Sequence, residues 1–242
     1  MSLEVLDSPA QLADRAAQVI ARSLQAAVDE RGRATLAVSG GSTPGRMLTA
    51  LARRDLPWER IEVFQVDERI AAPEHPDRNL GLLRSCLLVQ LPGPGPRVHP
   101  LPVELADPDV AATRAAVLLA ERAGDPPVLD VVQLGLGADG HTASLVPGDP
   151  ALAVTDRDIA VTGPYQGRRR LTATFPLLAR ARQRVWLVSG GTKAGALARV
   201  LAGDRSLPAA RVPTDHTCWL VDRDAAARLS LDPEPDHEES RP

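Results

Sequence analysis

No apolar run in the 242-residue chain approaches the ~20 residues a membrane-crossing helix needs, so a membrane partner is not expected. The opening MSLEVLDSPAQLADR carries acids early and has no apolar centre of the leader type, so a cytoplasmic location is expected. Cysteine is scarce: Cys86 and Cys218 lie far apart, in no metal-binding or redox spacing. Two buried thiols in a reducing compartment are expected rather than a disulfide or a ligand pair. Excess positive charge is also missing. The net charge is −3, and the segment 229–242 (LSLDPEPDHEESRP) alone contributes five acids against one arginine, leaving the body at +1. Such a near-neutral body argues against nucleic acid as the main partner. The acidic segment has little to bury and is expected to be disordered. Lysine is nearly absent too, with Lys193 the only one among 28 basic side chains. Codon bias could produce that alone, so Lys193 needs a context before it means anything.

What is present is the profile of a soluble globular protein, 44% hydrophobic and 24% charged. The pattern is read as a single domain over 1–228 followed by the tail. Leu12, Ala16, Val19, Ile20, Leu24, Ala27 and Val28 recur at helical spacing and predict a helix over 10–31, closed by Gly32. TLAVSGG (35–41) reads as a buried strand, and PGRMLTALARR (44–54) as a helix with Pro44 in its first turn. Strands are predicted at 61–68, 129–137, 170–175, 184–191 and 217–222, and helices at 77–91, 107–124 and 193–203. No repeat of fixed period occurs. Strands alternating with helices give an α/β class, a mainly parallel doubly wound sheet with helices on both faces. Ligands of such sheets bind beyond the carboxyl ends of the strands, which is where the chemistry should be sought.

Four strand ends answer that request. TLAV runs into SGGSTPG (39–45), IEVFQV into DER (67–69), VVQL into GLGADGHTAS (135–144), and VWLV into SGGTK (189–193). In the first, Gly40 and Gly41 let backbone N–H groups turn toward a ligand, and Ser42 and Thr43 add hydroxyls where a helix opens. That suits an anion, phosphate above all, although an ordinary turn with a Ser or Thr cap has the same signature. In DER, alternation along a strand puts Asp67 and Arg69 on one side, for a site or for a surface ion-pair cluster.

Gly135, Gly137 and Gly140 spell G-x-G-x-x-G, but Pro147, Gly148 and Pro150 follow where a dinucleotide site requires a long helix, so that reading fails. What remains is Asp139 and His141 on a glycine loop. Histidine is the usual proton shuttle near neutral pH, and an aspartate can fix its tautomer. A histidine satisfying loop carbonyls is the alternative. His75, His99, His216 and His237 lack such a setting and are assigned no role. Lys193 opens a helix at a strand end, where a compact ammonium is a good point charge for phosphate and a chain that otherwise uses arginine keeps lysine where the longer, planar fork will not fit.

With these stretches in hand, the sequence resembles the 6-phosphogluconolactonases, relatives of the glucosamine-6-phosphate deaminase/isomerases, from about residue 10 to 228. The residues that carry the resemblance are SGGSTP (39–44), VDERIAAPEHPDRN (66–79), LGLGADGHTASLVPG (134–148), RLTATFPLL (170–178), SGGTKAGAL (189–197) and PAARV (208–212). The resemblance implies a modified Rossmann-type fold. It also implies hydrolysis of 6-phospho-D-glucono-1,5-lactone in the oxidative pentose phosphate pathway, with no metal and no organic cofactor. By motif position, His141 would be the general base and Asp139 its partner. Ser42, Thr43, Arg69, Arg170 and Lys193 would hold the phosphate and the developing oxyanion. Asp67 matches a catalytic acid position of the deaminase branch. That branch carries a glutamate five residues past the motif histidine, where this chain has Val146. Val66 and Val146 also stand where lactonases commonly have glycine and phenylalanine. The partner expected is a small phosphorylated sugar lactone bound by a monomer, with weak self-association left open. A sugar-phosphate deaminase or isomerase, and a non-catalytic sugar-phosphate sensor, are the alternatives.

Overall fold

The computed structural model describes residues 1–229, so the acidic segment expected to be disordered lies, apart from Leu229, outside the described residues. Leu229 itself packs on the core, which extends the ordered body one residue past the expected boundary.

The strands are β1 (Ser2–Leu6), β2 (Ala34–Val38), β3 (Ile61–Gln65), β4 (Asp67–Arg69), β5 (Arg97–His99), β6 (Val131–Gly135), β7 (Ile159–Val161), β8 (Arg170–Ala173), β9 (Gln183–Val188) and β10 (Thr217–Asp222). The α-helices are α1 (Pro9–Arg31), α2 (Ser42–Leu51), α3 (Asn79–Cys86), α4 (Pro108–Ala123), α5 (Phe175–Arg180), α6 (Ala194–Leu201) and α7 (Arg223–Ala226). Seven strands form one all-parallel sheet in the order β1-β10-β9-β6-β2-β3-β5. A second, antiparallel sheet holds β4-β8-β7.

Alternation along the parallel strands builds two cores, one on each face. Leu36, Val38, Ile61, Val63, Val131, Val185, Leu187 and Leu220 face α1, α2 and α3. Ala37, Phe64, Val132, Leu134, Trp186, Val188, Trp219 and Val221 face the other way. There Trp186 and Trp219, paired in register on β9 and β10, stack with centroids 4.2 Å apart. The α1 stripe is buried as its spacing predicts, with Val19 only half-buried, and the helix begins on a Ser8 side-chain cap and ends on Gly32 at φ 73°.

The structure corrects several expectations. The strand predicted over 61–68 is two. Val66 N–H still bonds Val38 of β2, but its carbonyl accepts from Ala173 of β8, so the chain changes sheet at that residue. RLTATF consequently belongs to the small antiparallel sheet and not to the parallel one. The helix predicted over 77–91 ends at Cys86 and starts at Asn79, where the Glu68 carboxylate receives the Asn79 and Leu80 N–H groups at 2.8 and 2.9 Å and fixes the first turn. The short strands β1, β5 and β7 lie where no strand was expected. Cys86 and Cys218 are unpaired thiols, as expected, but half-buried. No helix among the described residues is long and apolar enough to cross a membrane.

Arg184 is fully buried at the base of β9. Its Nη1 donates to the carbonyls of Leu178, Ala179 and Ala181 at 3.1, 3.0 and 2.9 Å, closing the end of α5, and Nη2 donates to the Asp215 carbonyl. Arg184→Leu is expected to strand those acceptors and cost roughly 3 kcal/mol. In a thermal melt that is a drop of roughly 6–12 °C.

Candidate active site

The parallel sheet reverses its order of growth between β2 and β6. From β2 the chain builds outward through β3 and β5, and from β6 outward through β9 and β10. The β2–β6 ladder stops at Ala37–Val132. Beyond it the Gln133 side chain takes over, accepting from Ser39 N–H at 3.0 Å while its carbonyl accepts from Ser39 Oγ at 3.1 Å. The two strands part, and a cleft of about 310 Å³ opens over their carboxyl ends. Gly40, Gly41, Ser42, Thr43, Asp67, Arg69, His141, Arg170 and Lys193 all line it, and Asp139 stands behind His141.

On the β6 loop, His141 Nδ1 lies 2.6 Å from Asp139 Oδ1, and the same oxygen accepts from the His141 backbone N–H at 3.2 Å. Nδ1 is thus committed to Asp139, which leaves Nε2, without a partner among the described residues, as the lone-pair nitrogen. Partial burial opposes ionisation of Asp139, but the facing His141, its backbone N–H and the Tyr165 hydroxyl together hold the carboxyl below its ordinary value. The loop is tightly built. A Cβ on Gly137 would lie 2.0 Å from His141 Nδ1, and one on Gly140 would lie 2.7 Å from Leu207. The turn Pro208–Arg211 buttresses it from outside, with Ala209 N–H on the Gly140 carbonyl at 3.0 Å. After Gly140 the chain enters turns rather than a helix, as the prolines demand.

At the end of β2, Gly41 takes φ 115° and hands the chain to α2, whose first turn has no side-chain cap. The turn-with-cap alternative therefore fails, and the first N–H groups of α2 open on the cleft. Gly40 is forced by packing, since a Cβ there would sit 1.8 Å from Asn79 Oδ1.

The small sheet supplies the third wall. Asp67 is buried at the cleft floor, accepting from Ser144 Oγ at 2.5 Å and Asn79 Nδ2 at 3.3 Å. Burial pushes its carboxyl above the ordinary value, against the pull of Ser144, Arg69 and Arg170. Glu68 points away, fully buried, and also accepts from Gln65 at 2.8 Å, with Arg78 Nε 3.2 Å off. Arg170 is 5% exposed, and its Nε, like that of Arg69, is buried with no partner among the described residues. Burial lowers its affinity for the proton. Two guanidinium groups lining the cleft beside a helix N-terminus can receive an anion. Lys193 closes the fourth wall from the turn before α6 and makes no ion pair among the described residues. No group of three or more potential metal ligands occurs among the described residues.

Some functional neighbours escaped the sequence reading. Asn79 and Ser144 fix Asp67, Glu68 sets α3, and Ala143 lines the cleft at the strained φ of 51°. Tyr165 hydrogen-bonds Asp139. The signals were a lone tyrosine, and an asparagine and a serine inside stretches already singled out. His75 and His99 pair elsewhere, with Asp77 and Glu62. His237 lies outside the described residues.

A family model described as glucosamine-6-phosphate isomerases/6-phosphogluconolactonase matches residues 7–220. A 6-phosphogluconolactonase of Synechocystis is 41% identical over 235 residues, covering 94% of this chain and 98% of its own. One of Nostoc is 38% identical over 238 residues, covering 95% and 99%. The crystal structure of a 6-phosphogluconolactonase from Shewanella baltica superposes with a TM-score of 0.82 at 28% identity, covering 92% of this chain and 97% of that one.

Proposed function

The chain belongs to the glucosamine-6-phosphate isomerase/6-phosphogluconolactonase family, and from that premise we propose that it hydrolyses 6-phospho-D-glucono-1,5-lactone to 6-phospho-D-gluconate, the lactonase step of the oxidative pentose phosphate pathway. The observation that carries the proposal is the His141–Asp139 pair, with Nε2 unpartnered among the described residues, in one cleft with an uncapped helix N-terminus and the Arg69 and Arg170 side chains.

The chemistry needs a water, a base, and positive charge where the carbonyl oxygen becomes an oxyanion. His141 Nε2 takes a proton from water as the water oxygen bonds to the lactone carbon. Asp139 holds the imidazole and the charge it acquires. The tetrahedral intermediate collapses with cleavage of the ring C–O bond, and His141 returns its proton to the departing ring oxygen, which becomes a hydroxyl. The nascent carboxylic acid then ionises, releasing one proton to solvent. The α2 N-terminus with Ser42 and Thr43, together with Arg69, Arg170 and Lys193, holds the phosphate and the oxyanion. The remote phosphate supplies binding energy that positions the reacting carbon. Asp67, beside Asn79, is placed to accept from a sugar hydroxyl.

The deaminase reading needs an acid/base where Val146 stands. Val146 is 6% exposed, titrates nothing and does not line the cleft. The test is to offer both substrates. Rapid opening of fresh lactone with no ammonia from glucosamine 6-phosphate is expected. Ammonia release faster than lactone opening overturns the proposal, and tight binding of both without turnover makes the protein a sensor.

Lys193 gives a sharper check on the cradle. Lys193→Ala is expected to raise KM ~30-fold, about 2 kcal/mol for a lost charge-assisted contact. Lys193→Arg keeps the charge but should still weaken binding, because the planar fork replaces a compact ammonium. Unchanged kinetics in Lys193→Arg would reduce the lone lysine to codon history.

A further inference from the structure

Tyr165 is the only tyrosine of the chain, and the mechanism above does not use it. It sits on the hairpin that joins β7 to β8. Tyr165 N–H donates to the Arg168 carbonyl at 2.9 Å and Arg168 N–H returns the bond at 3.2 Å. The two residues between them, Gln166 and Gly167, have φ of 51° and 77°, the positive pair that a tight two-residue hairpin of type I′ demands. The hairpin is anchored at both ends. Thr162 N–H bonds the Arg170 carbonyl at 2.9 Å, and Arg168 reaches Asp77 at 3.0 Å and His75 at 2.9 Å on the facing loop.

That turn aims one side chain at two parts of the site. The Tyr165 hydroxyl donates to Asp139 Oδ2 at 3.2 Å, the carboxylate oxygen that His141 leaves unused. The His141 ring meets the Tyr165 ring edge-on, with centroids 5.6 Å apart and planes at 64°. The Arg170 guanidinium lies over the same ring, its carbon 4.9 Å from the centroid, and donates to Gln166 Oε1 at 3.3 Å from the next residue of the turn. The ring face is electron-rich and attracts the guanidinium, while the hydroxyl at the far end is a donor. Tyrosine offers both, whereas phenylalanine keeps only the ring and leucine neither.

We infer that Tyr165 is a positioning residue of the lactone hydrolysis, orienting Asp139 through its hydroxyl and Arg170 through its ring, so that the base and the anion-binding cation are set by one side chain. The inference rests on the lactonase reading. The two functions should separate on substitution. Tyr165→Phe keeps the ring under Arg170 and removes only the hydroxyl. Asp139 then loses the donor that shares its negative charge, and its whole pull falls on the imidazole. The protonated ring gains, and the base is lost at a higher pH. The other charged groups around the pair are unchanged by the substitution: Asp67, Arg69, Arg170 and Lys193 in the cleft, and Arg199 and Arg228 in the groove behind Asp139. Tyr165→Leu removes ring and hydroxyl together, and Arg170 is left without its support.

The experiment measures the pH–rate profile for lactone opening with wild type and both variants, and the pH midpoint of the His141 ring resonances by NMR without substrate. In Tyr165→Phe, kcat at neutral pH is expected to fall roughly tenfold with KM unchanged. The acid limb and the His141 midpoint should both move up. In Tyr165→Leu the same changes are expected, and KM should rise by a further roughly 2–5-fold. A Tyr165→Phe protein whose acid limb and His141 midpoint coincide with wild type overturns the hydroxyl's role. Equal KM in the Phe and Leu variants overturns the ring's role. A wild type that leaves the lactone unopened fails the lactonase reading instead, and the NMR midpoint still decides whether Tyr165 governs the His141–Asp139 pair.

Discussion

Replacing His141 by alanine is expected to lower kcat for lactone opening by ~10³-fold, within the range a positioned general base contributes. The affinity for the product, 6-phosphogluconate, should survive, within roughly twofold by calorimetry. The split follows from the layout of the site. His141 reaches the cleft from the β6 loop and is held by Asp139, whereas the anion-binding groups come from α2, the small sheet and the turn before α6. Truncating the imidazole removes a group needed in the transition state and leaves the cradle whole. Loss of product binding together with kcat would mean that His141 holds the ligand, and Asp67 would become the candidate base.

Gly137→Ala should do damage of the same kind without replacing a reacting group. The added methyl would lie 2.0 Å from His141 Nδ1, 2.3 Å from Cε1 and 2.5 Å from Asp139 Oδ1. Gly137 is not in the left-handed region, so alanine fits its backbone and the cost falls on the pair itself. Either the imidazole or the carboxylate must move by about an ångström, and a displacement of that size costs ~10²-fold in rate. The melting temperature should stay within roughly 3 °C of wild type, since the atoms nearest the added methyl are the ends of the His141 and Asp139 side chains and not backbone. Gly81→Ala is the matched control, because a Cβ there meets nothing within 4 Å. Full activity in Gly137→Ala would mean that the pair tolerates a looser geometry than this mechanism allows.

The sequence carried the parallel sheet because its central strands are short apolar runs, three of them closed by glycine, and burial on both faces leaves that mark. β2, β6, β9 and β10 fall where TLAV, VVQL, VWLV and TCWLVD put them. The small sheet left no such mark. β4 and β7 have three residues each, and Asp67–Arg69 reads as the tail of IEVFQV until the hydrogen bonds of Val66 are seen. The site's poles were legible for the same reason as the sheet, since glycine, histidine and lysine at strand ends are visible one at a time. Their supports were not. Asn79 matters through Gly40, 39 positions away, and Ser144 through Asp67, 77 positions away. Pairings at that separation leave no local pattern. Glu68 reads as a surface acid beside two charged neighbours, yet it is fully buried and fixes the first turn of α3.

The most direct measurement is of the lactone itself. Freshly prepared 6-phospho-D-glucono-1,5-lactone is added to wild type and to His141→Ala, and the proton released on ring opening is titrated at constant pH, with spontaneous opening subtracted. Rapid proton release by wild type, and a release rate ~10³-fold lower in His141→Ala, are predicted. Equal rates in the two proteins, or no release above background in wild type, would contradict the assignment of His141 as the base of a lactonase.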